Sequence, residues 1–203
     1  MNQARRGGLN GRASPPVANP DKRLILLLVS ILFWFMGFNA LEAGLSSFAV
    51  FTLGISPGTA SIYAASITLS FIACAAPAGI LGAKYGRPLI IRWGLVGLAL
   101  VFGLGYFIIN GTAAFIAILV LGGIFWALVN VNSLPLVYDL GGAREVGALT
   151  GLYYFSSQSA AVLGPTLGGI VVDVLSDNYR WLFAFGAICM ALAWGTMFRS
   201  RKP

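Results

Sequence analysis

Six apolar runs, each close to the length that crosses a bilayer, constrain this chain more than any other feature. A hydrocarbon core of about 30 Å takes about 20 residues of helix. Runs near that length, bounded by charge, Gly or Pro, fall at 24–53, 60–81, 89–109, 113–138, 147–174 and 181–198. The fold class they imply is all-α, a polytopic membrane protein with six transmembrane helices. Composition agrees, since 58% of the 203 residues are hydrophobic, only 9% are charged, and the mean hydropathy is +0.86. A soluble domain that must hydrate its own surface is far less apolar.

The links between runs are short, reading GISPGT, GAKYGRP, NGT, DLGGAREV and LSDNY. Links of this length make consecutive helices antiparallel neighbours and predict an up-and-down bundle with no extramembrane domain. Residues 1–23 are polar, rich in Arg, Gly and Pro, and carry no apolar core of a signal peptide. They read as a disordered cytoplasmic tail, with 199–203 as a second, short one.

Net charge is +7, but the cations lie between apolar runs and form no basic face for nucleic acid, so no nucleic-acid partner is expected. Membrane topology accounts for them, because Lys and Arg near helix ends are retained in the cytoplasm. With the amino terminus inside, that side collects Arg5, Arg6, Arg12, Lys22, Arg23, Lys84, Arg87, Arg92, Arg144, Arg199, Arg201 and Lys202, and Arg180 alone lies outside. The expectation is an integral protein of the plasma (inner) membrane with both termini cytoplasmic.

Histidine is absent, which removes histidine base catalysis, the usual zinc sets and histidine-ligated haem. No enzyme activity, catalytic residue, metal site or cofactor is expected. Ser46 and Ser47 have no histidine partner for an intramembrane protease. Cys74 and Cys189 both lie in apolar stretches and read as buried small residues.

An ionisable group within a span is costly and marks a functional candidate. Glu42 is the acid well inside the first run, and Asn39, Glu42 and Ser46 share a face at helical spacing. The fourth run carries Trp126, Asn130 and Ser133 on one face with Asn132 elsewhere, the fifth Tyr153, Tyr154, Ser157 and Gln158, and the second a thinner stripe of Tyr63, Ser66 and Ser70. The aromatic-rich stretch from Phe33 to Phe38 faces either lipid or a ligand. The interiors of the third and sixth runs hold no ionisable group, as suits the periphery. Hydroxyls, amides and aromatic faces fit a sugar-like solute, though the same groups also suit helix-to-helix bonding. Two small-residue ridges, Gly147 with Gly151 and Gly164 with Gly168, predict close helix approach. Pro77, Pro135 and Pro165 lie inside spans, where a proline bends its helix.

The segment Gly79-Ile80-Leu81-Gly82-Ala83-Lys84-Tyr85-Gly86-Arg87-Pro88 resembles the major facilitator superfamily signature G-x-L-[GA]-D-[RK]-[FY]-G-R-[RK], which joins the second and third helices of a half. It departs at Ala83, where the family has its acid, and at Pro88, where it has a second cation. In the family this loop gates the cytoplasmic side through charge pairs, which implies Lys84 and Arg87 as gate residues with Asp139 or Glu145 as the missing anion. Gly151, Ala160 and Gly164-Pro165-Thr166-Leu167-Gly168-Gly169 resemble the fifth-helix pattern G-x8-G-x3-G-P-x2-G-G, departing only at Ala160. Drug antiporters with that pattern also carry an arginine signature in helix four, which is missing here. The stretches NVNSLPLVYDL and TGLYYFSS are more similar to the carboxy-terminal half of the sucrose and glycoside symporter branch.

The resemblance implies half of a major facilitator fold, with helices one and four, and less so two and five, lining a cavity and three and six outside. Full transporters have two such halves with the solute between them. The expected partners are therefore the lipid bilayer, a small-molecule solute and a second six-helix half, either a second copy or a separate chain. The leading reading is a secondary transporter, or half of one, for a small polar organic solute of sugar type, with Glu42 in proton coupling or substrate contact. The alternative is a non-transporting membrane subunit or a fragment of a transporter, in which the polar stripes only join helices.

Overall fold

The computed structural model describes residues 22–141 and 145–199 and is all-α. Helices α1 (Lys22–Leu53), α2 (Pro57–Tyr85), α3 (Arg87–Ile108), α4 (Thr112–Tyr138), α5 (Val146–Val174) and α6 (Trp181–Arg199) follow in chain order. At 1.5 Å per residue the shortest, α6, is about 28 Å long. Residues 1–21, Arg144, Arg201 and Lys202 lie outside the described residues, so the tails and those cations are not placed.

Several ends differ from expectation for local reasons. Helix α2 starts at Pro57, because proline suits the first turn, where its missing N–H is not needed. The segment expected as a loop after the second run is mostly helical, since α2 continues to Tyr85 and α3 begins at Arg87. Gly86 alone breaks the helix, at φ +91°, a conformation that strains any residue bearing a Cβ. Pro77, Pro135 and Pro165 sit inside α2, α4 and α5, which run through them without interruption.

Consecutive helices are antiparallel, but the expectation that they pack as neighbours is corrected. The extensive contacts are α2 with α4, α1 with α5, α1 with α6, α3 with α4, and α3 with α6, whereas α1 touches α2 and α5 touches α6 only lightly. A short link sets direction but does not force packing along its length. Pairing in lipid follows close backbone approach and interhelical hydrogen bonds, because apolar surface gains little by leaving lipid. A Cβ on Gly123 of α4 would run into the Ile67 carbonyl and Ser70 hydroxyl of α2, and one on Gly164 of α5 into the Met36 carbonyl of α1. Polar links reinforce the pairs: Ser30 with Thr196 at 2.7 Å joins α1 to α6, and Ser156 donates to the Leu28 carbonyl at 2.7 Å, joining α5 to α1.

The second small-residue expectation also divides. Gly164 and Gly168 pack on α1, Gly168 with a Cβ position 3.0 Å from that of Ala40. Positions Gly147, Gly151 and Gly169 have open space within 4 Å, so that part of the helix-five motif is not packed within the bundle. It lies on faces that no described helix covers.

The two ends of the bundle differ in charge. The end where α1 and α3 start and α4 and α6 finish carries Lys22, Arg23, Lys84, Arg87, Arg92 and Arg199, and is called the basic end below. At the opposite end Arg180 caps α3, donating to the carbonyls of Tyr106 (3.1 Å) and Ile109 (2.6 Å) and to Asn110 Oδ1 (3.1 Å). Those carbonyls belong to a helix terminus with no intrahelical donors left for them.

Candidate transport cavity

Four helices bring a polar face together. On α1, Phe35, Phe38, Asn39 and Glu42 recur at i, i+3, i+4 and i+7, so they share one side of the helix. Helix α4 adds Trp126, Asn130 and Leu134, helix α5 Tyr154, Ser157, Gln158 and Ala161, and helix α2 Ile67, Thr68 and Phe71. The result is a cavity in two lobes that meet at Phe35, Asn39 and Asn130. The lobe between α1, α4 and α5 holds about 480 Å³, and the lobe between α1, α2 and α4 about 390 Å³. Both volumes are in the range of small-molecule sites.

The lobes differ in chemistry. The larger one presents amide and hydroxyl groups from Asn39, Asn130, Ser157, Gln158 and Tyr154. The smaller contains the carboxylate of Glu42 against Phe38, Phe71 and Trp126. Trp126 is 5% exposed, because Phe38 stacks on it at 3.9 Å and 6° while Phe35 meets it edge-on at 5.3 Å. Trp126 is thus a braced wall, and Tyr154, 49% exposed, is the ring that stands open.

Hydrogen bonding separates the groups that hold helices together from those that face the cavity. Asn132 is buried and donates to the Ala78 carbonyl of α2 at 3.1 Å and to Leu128 at 3.0 Å. Ser133 bonds the Tyr153 hydroxyl at 2.9 Å, and Tyr138 bonds Thr150 at 2.8 Å, both joining α4 to α5. Ser70 returns its hydrogen bond to its own helix. By contrast, the side chains of Glu42, Asn130 and Gln158 make no hydrogen bond or ion pair with any described residue. Asn39 spends its amide nitrogen on the Phe35 carbonyl at 2.7 Å, which leaves its oxygen as the acceptor for a ligand.

Of the expected substrate and coupling residues, the cavity gathers Asn39, Glu42, Trp126, Asn130, Tyr154 and Gln158. It leaves out Ser46, one turn beyond Glu42, which lines neither lobe. The α2 contribution comes from Thr68 and Phe71 rather than from the expected stripe of Tyr63, Ser66 and Ser70. Thr68 lies between Ser66 and Ser70 in sequence but on the opposite side of the helix from them, so only packing identifies which face meets the cavity. Phe35 and Phe38 line the cavity.

The segment from Gly79 to Pro88 lies at the basic end. Arg87 Nη1 reaches both carboxylate oxygens of Asp139, at 2.7 and 2.6 Å, and the pair is half exposed. Lys84 lies 5.1 Å from the ring centroid of Tyr85. Glu145 directly precedes α5. Gly79 meets Val131 at an ordinary distance, whereas a Cβ on Gly82 would overlap the Asn132 amide. The second glycine of the segment therefore makes room for the α4 asparagine that binds α2.

Comparison with known proteins follows the same lines. Among curated proteins, the MFS-type efflux transporter pyiT of Pyricularia grisea is 33% identical over 122 residues, covering 56% of this chain and 19% of that protein. Among solved structures, the outward-conformation crystal structure of the MFS transporter FucP aligns with a TM-score of 0.75 at 13% identity, over 89% of this chain and 43% of that one. The chain spans less than half the length of either, and the structural likeness speaks for the fold alone. The sequence model of the Major Facilitator Superfamily matches residues 24–203. With a six-helix bundle of this fold and a match that runs from the first helix to the last residue, the chain belongs to the Major Facilitator Superfamily.

Proposed function

We propose that this bundle is a translocating half of a secondary transporter that moves a small polar organic solute, of sugar type, between itself and a second six-helix half. The observation that supports it is the cavity in which Glu42, Asn130 and Gln158 find no partner among the described residues, while neighbouring polar groups are committed to joining helices. A carboxylate and two amides turned toward lipid would be costly. A second half laid over α1, α2, α4 and α5 encloses them and covers the exposed apolar flanks, Ile62, Leu69 and Ile72 on α2 and Phe155, Val162 and Ile170 on α5. That half is a second copy or a separate stretch of protein. Neutral donors and acceptors dominate the larger lobe, which suits a hydroxyl-rich solute. Glu42, set apart in the smaller lobe, serves proton coupling. The charge asymmetry of the two ends supports an orientation with the basic end in the cytoplasm, and Arg87 with Asp139 forms the gate there.

Proteoliposomes containing the purified chain, together with any half that copurifies, should take up labelled neutral sugars faster under an imposed pH gradient. Glu42→Gln should keep solute exchange but lose the response to the gradient. Uptake that ignores the gradient in the parent protein sinks the coupling role, and absence of flux for every polar solute sinks the transport reading. One relative is named for efflux, so the same vesicles, loaded inside or outside, read the direction.

A further inference from the structure

Resting on the transport reading, we infer that the larger lobe recognises its solute through two backbone carbonyls, those of Val131 and Ala161, and so selects a solute rich in O–H or N–H donors. Helices α4 and α5 run through Pro135 and Pro165 without interruption. A proline has no N–H, so the carbonyl four residues before it loses its intrahelical donor. Those two carbonyls belong to Val131 and Ala161, and both residues line the larger lobe. In an α-helix a carbonyl lies beneath the residue four further on. Val131 and Pro135 both line the lobe, which puts the freed oxygen of α4 on its wall. On α5, Ala161 continues the lining face of Tyr154 and Gln158. Pro165 lines the adjoining cavity of about 180 Å³, so the second freed oxygen stands where the two cavities meet.

A carbonyl freed in this way at membrane depth needs a donor from a neighbour, a side chain or water. The nearby donors are directed elsewhere: Asn39 to the Phe35 carbonyl at 2.7 Å, Ser133 to the Asn130 carbonyl at 2.7 Å, and Ser157 to the Tyr154 carbonyl at 3.4 Å. The wall therefore offers three groups that only accept, the Asn39 oxygen and the two carbonyls, whereas Asn130 and Gln158 both donate and accept. Two interhelical bonds set the relative level of the carbonyls. Ser133 bonds Tyr153 and Tyr138 bonds Thr150, which places Val131 level with Ser156 on the antiparallel α5. Ala161 lies five residues beyond Ser156, a separation of about 8 Å at 1.5 Å per residue. A solute of one or two sugar rings with hydroxyls around its edge reaches both. Pro77 supplies an internal contrast, because it frees the Ala73 carbonyl of α2 but neither residue lines a lobe.

The test is equilibrium binding of labelled neutral hexoses and disaccharides to the full purified chain, with any half that copurifies, by scintillation proximity. Singly O-methylated derivatives of each sugar serve as competitors. Methylation at the hydroxyls that meet the two carbonyls should weaken binding about tenfold, since it removes the donor and leaves the carbonyl unpaired. Pro135→Ala and Pro165→Ala each restore the missing N–H, which occupies the carbonyl. Each should weaken the parent sugar about two- to tenfold and abolish the methylation penalty at one hydroxyl, a different one for each variant. Pro77→Ala should match the parent chain. Methyl ethers that all bind as well as the parent sugar, a comparison that needs no variant, would overturn the inference and leave transport standing. So would proline variants at 135 and 165 that change flux but leave affinity and the methylation penalty intact, the signature of a bend alone. Absence of binding for every sugar would remove the transport reading itself, and this inference with it.

Discussion

Replacing Gly82 by alanine tests the packing at the basic end most sharply. The added Cβ falls on the Asn132 side-chain amide, which is buried and bonded to the Ala78 carbonyl across the α2–α4 contact at 3.1 Å. Either the amide moves and loses that bond, or the two helices separate. Overpacking of this kind costs about 1–3 kcal/mol, and an interhelical hydrogen bond in a membrane protein contributes about 0.6, at most roughly 1.7 kcal/mol. The expected loss for Gly82→Ala is therefore about 2–4 kcal/mol. Asn132→Ala alone should lose about 0.6–1.7 kcal/mol, because it removes the bond but leaves no clash. The double variant should then lie within about 1 kcal/mol of Asn132→Ala, since the methyl group enters space that the amide has vacated. The measurement is unfolding in SDS-titrated mixed micelles followed by tryptophan fluorescence, taken as a double-mutant cycle. Gly79→Ala, whose Cβ meets Val131 at 3.5 Å, serves as the near-neutral control. Additive losses in the cycle, or a harmless Gly82→Ala, would refute the reasoning.

Three further outcomes follow from the same packing. Arg87→Ala should lower solute flux while leaving expression intact and stability within about 1 kcal/mol, because the Asp139 pair is half exposed; the exchanged pair Arg87→Asp with Asp139→Arg should recover part of the flux, and unchanged uptake in the single variant removes the gating role. Gly164→Ala should destabilise by about 1–3 kcal/mol because its Cβ meets the Met36 carbonyl. Gly151→Ala, with open space around it, should be neutral or gain up to about 1 kcal/mol, and equal losses at the two sites on thermal unfolding would contradict this division. Arg180→Gln should destabilise by about 1.5–3 kcal/mol through loss of the α3 cap, with Arg180→Lys between it and the parent because an ammonium cannot span the two carbonyls as a guanidinium does.

Length and hydropathy by themselves determined that the chain is a six-helix membrane bundle, because about 20 apolar residues are a direct ruler of bilayer thickness. Periodicity was enough to put Asn39 and Glu42 on one side of α1, since spacing on a single helix is set by 3.6 residues per turn. The signature around Gly82 to Arg87 was legible as a motif, but its form was not. It is helix on either side of one glycine, and that depends on how far α2 and α3 extend before Gly86 turns the chain.

Which helices meet was decided only by tertiary structure. In lipid an apolar face is satisfied by lipid as well as by a neighbour, so hydropathy carries no instruction about pairing. Short links suggested sequential neighbours, yet α2 chose α4 and α1 chose α5 and α6, where glycines and hydroxyls allow close contact. The same choice sorted the polar residues. Asn130 and Asn132 are two positions apart on α4 and chemically identical, but one lines the cavity and the other is spent on the Ala78 carbonyl. One turn along α1, Ser46 fell outside the lining while Glu42 stayed in it. No property of a single helix distinguishes those outcomes, because they depend on which surface the next helix covers.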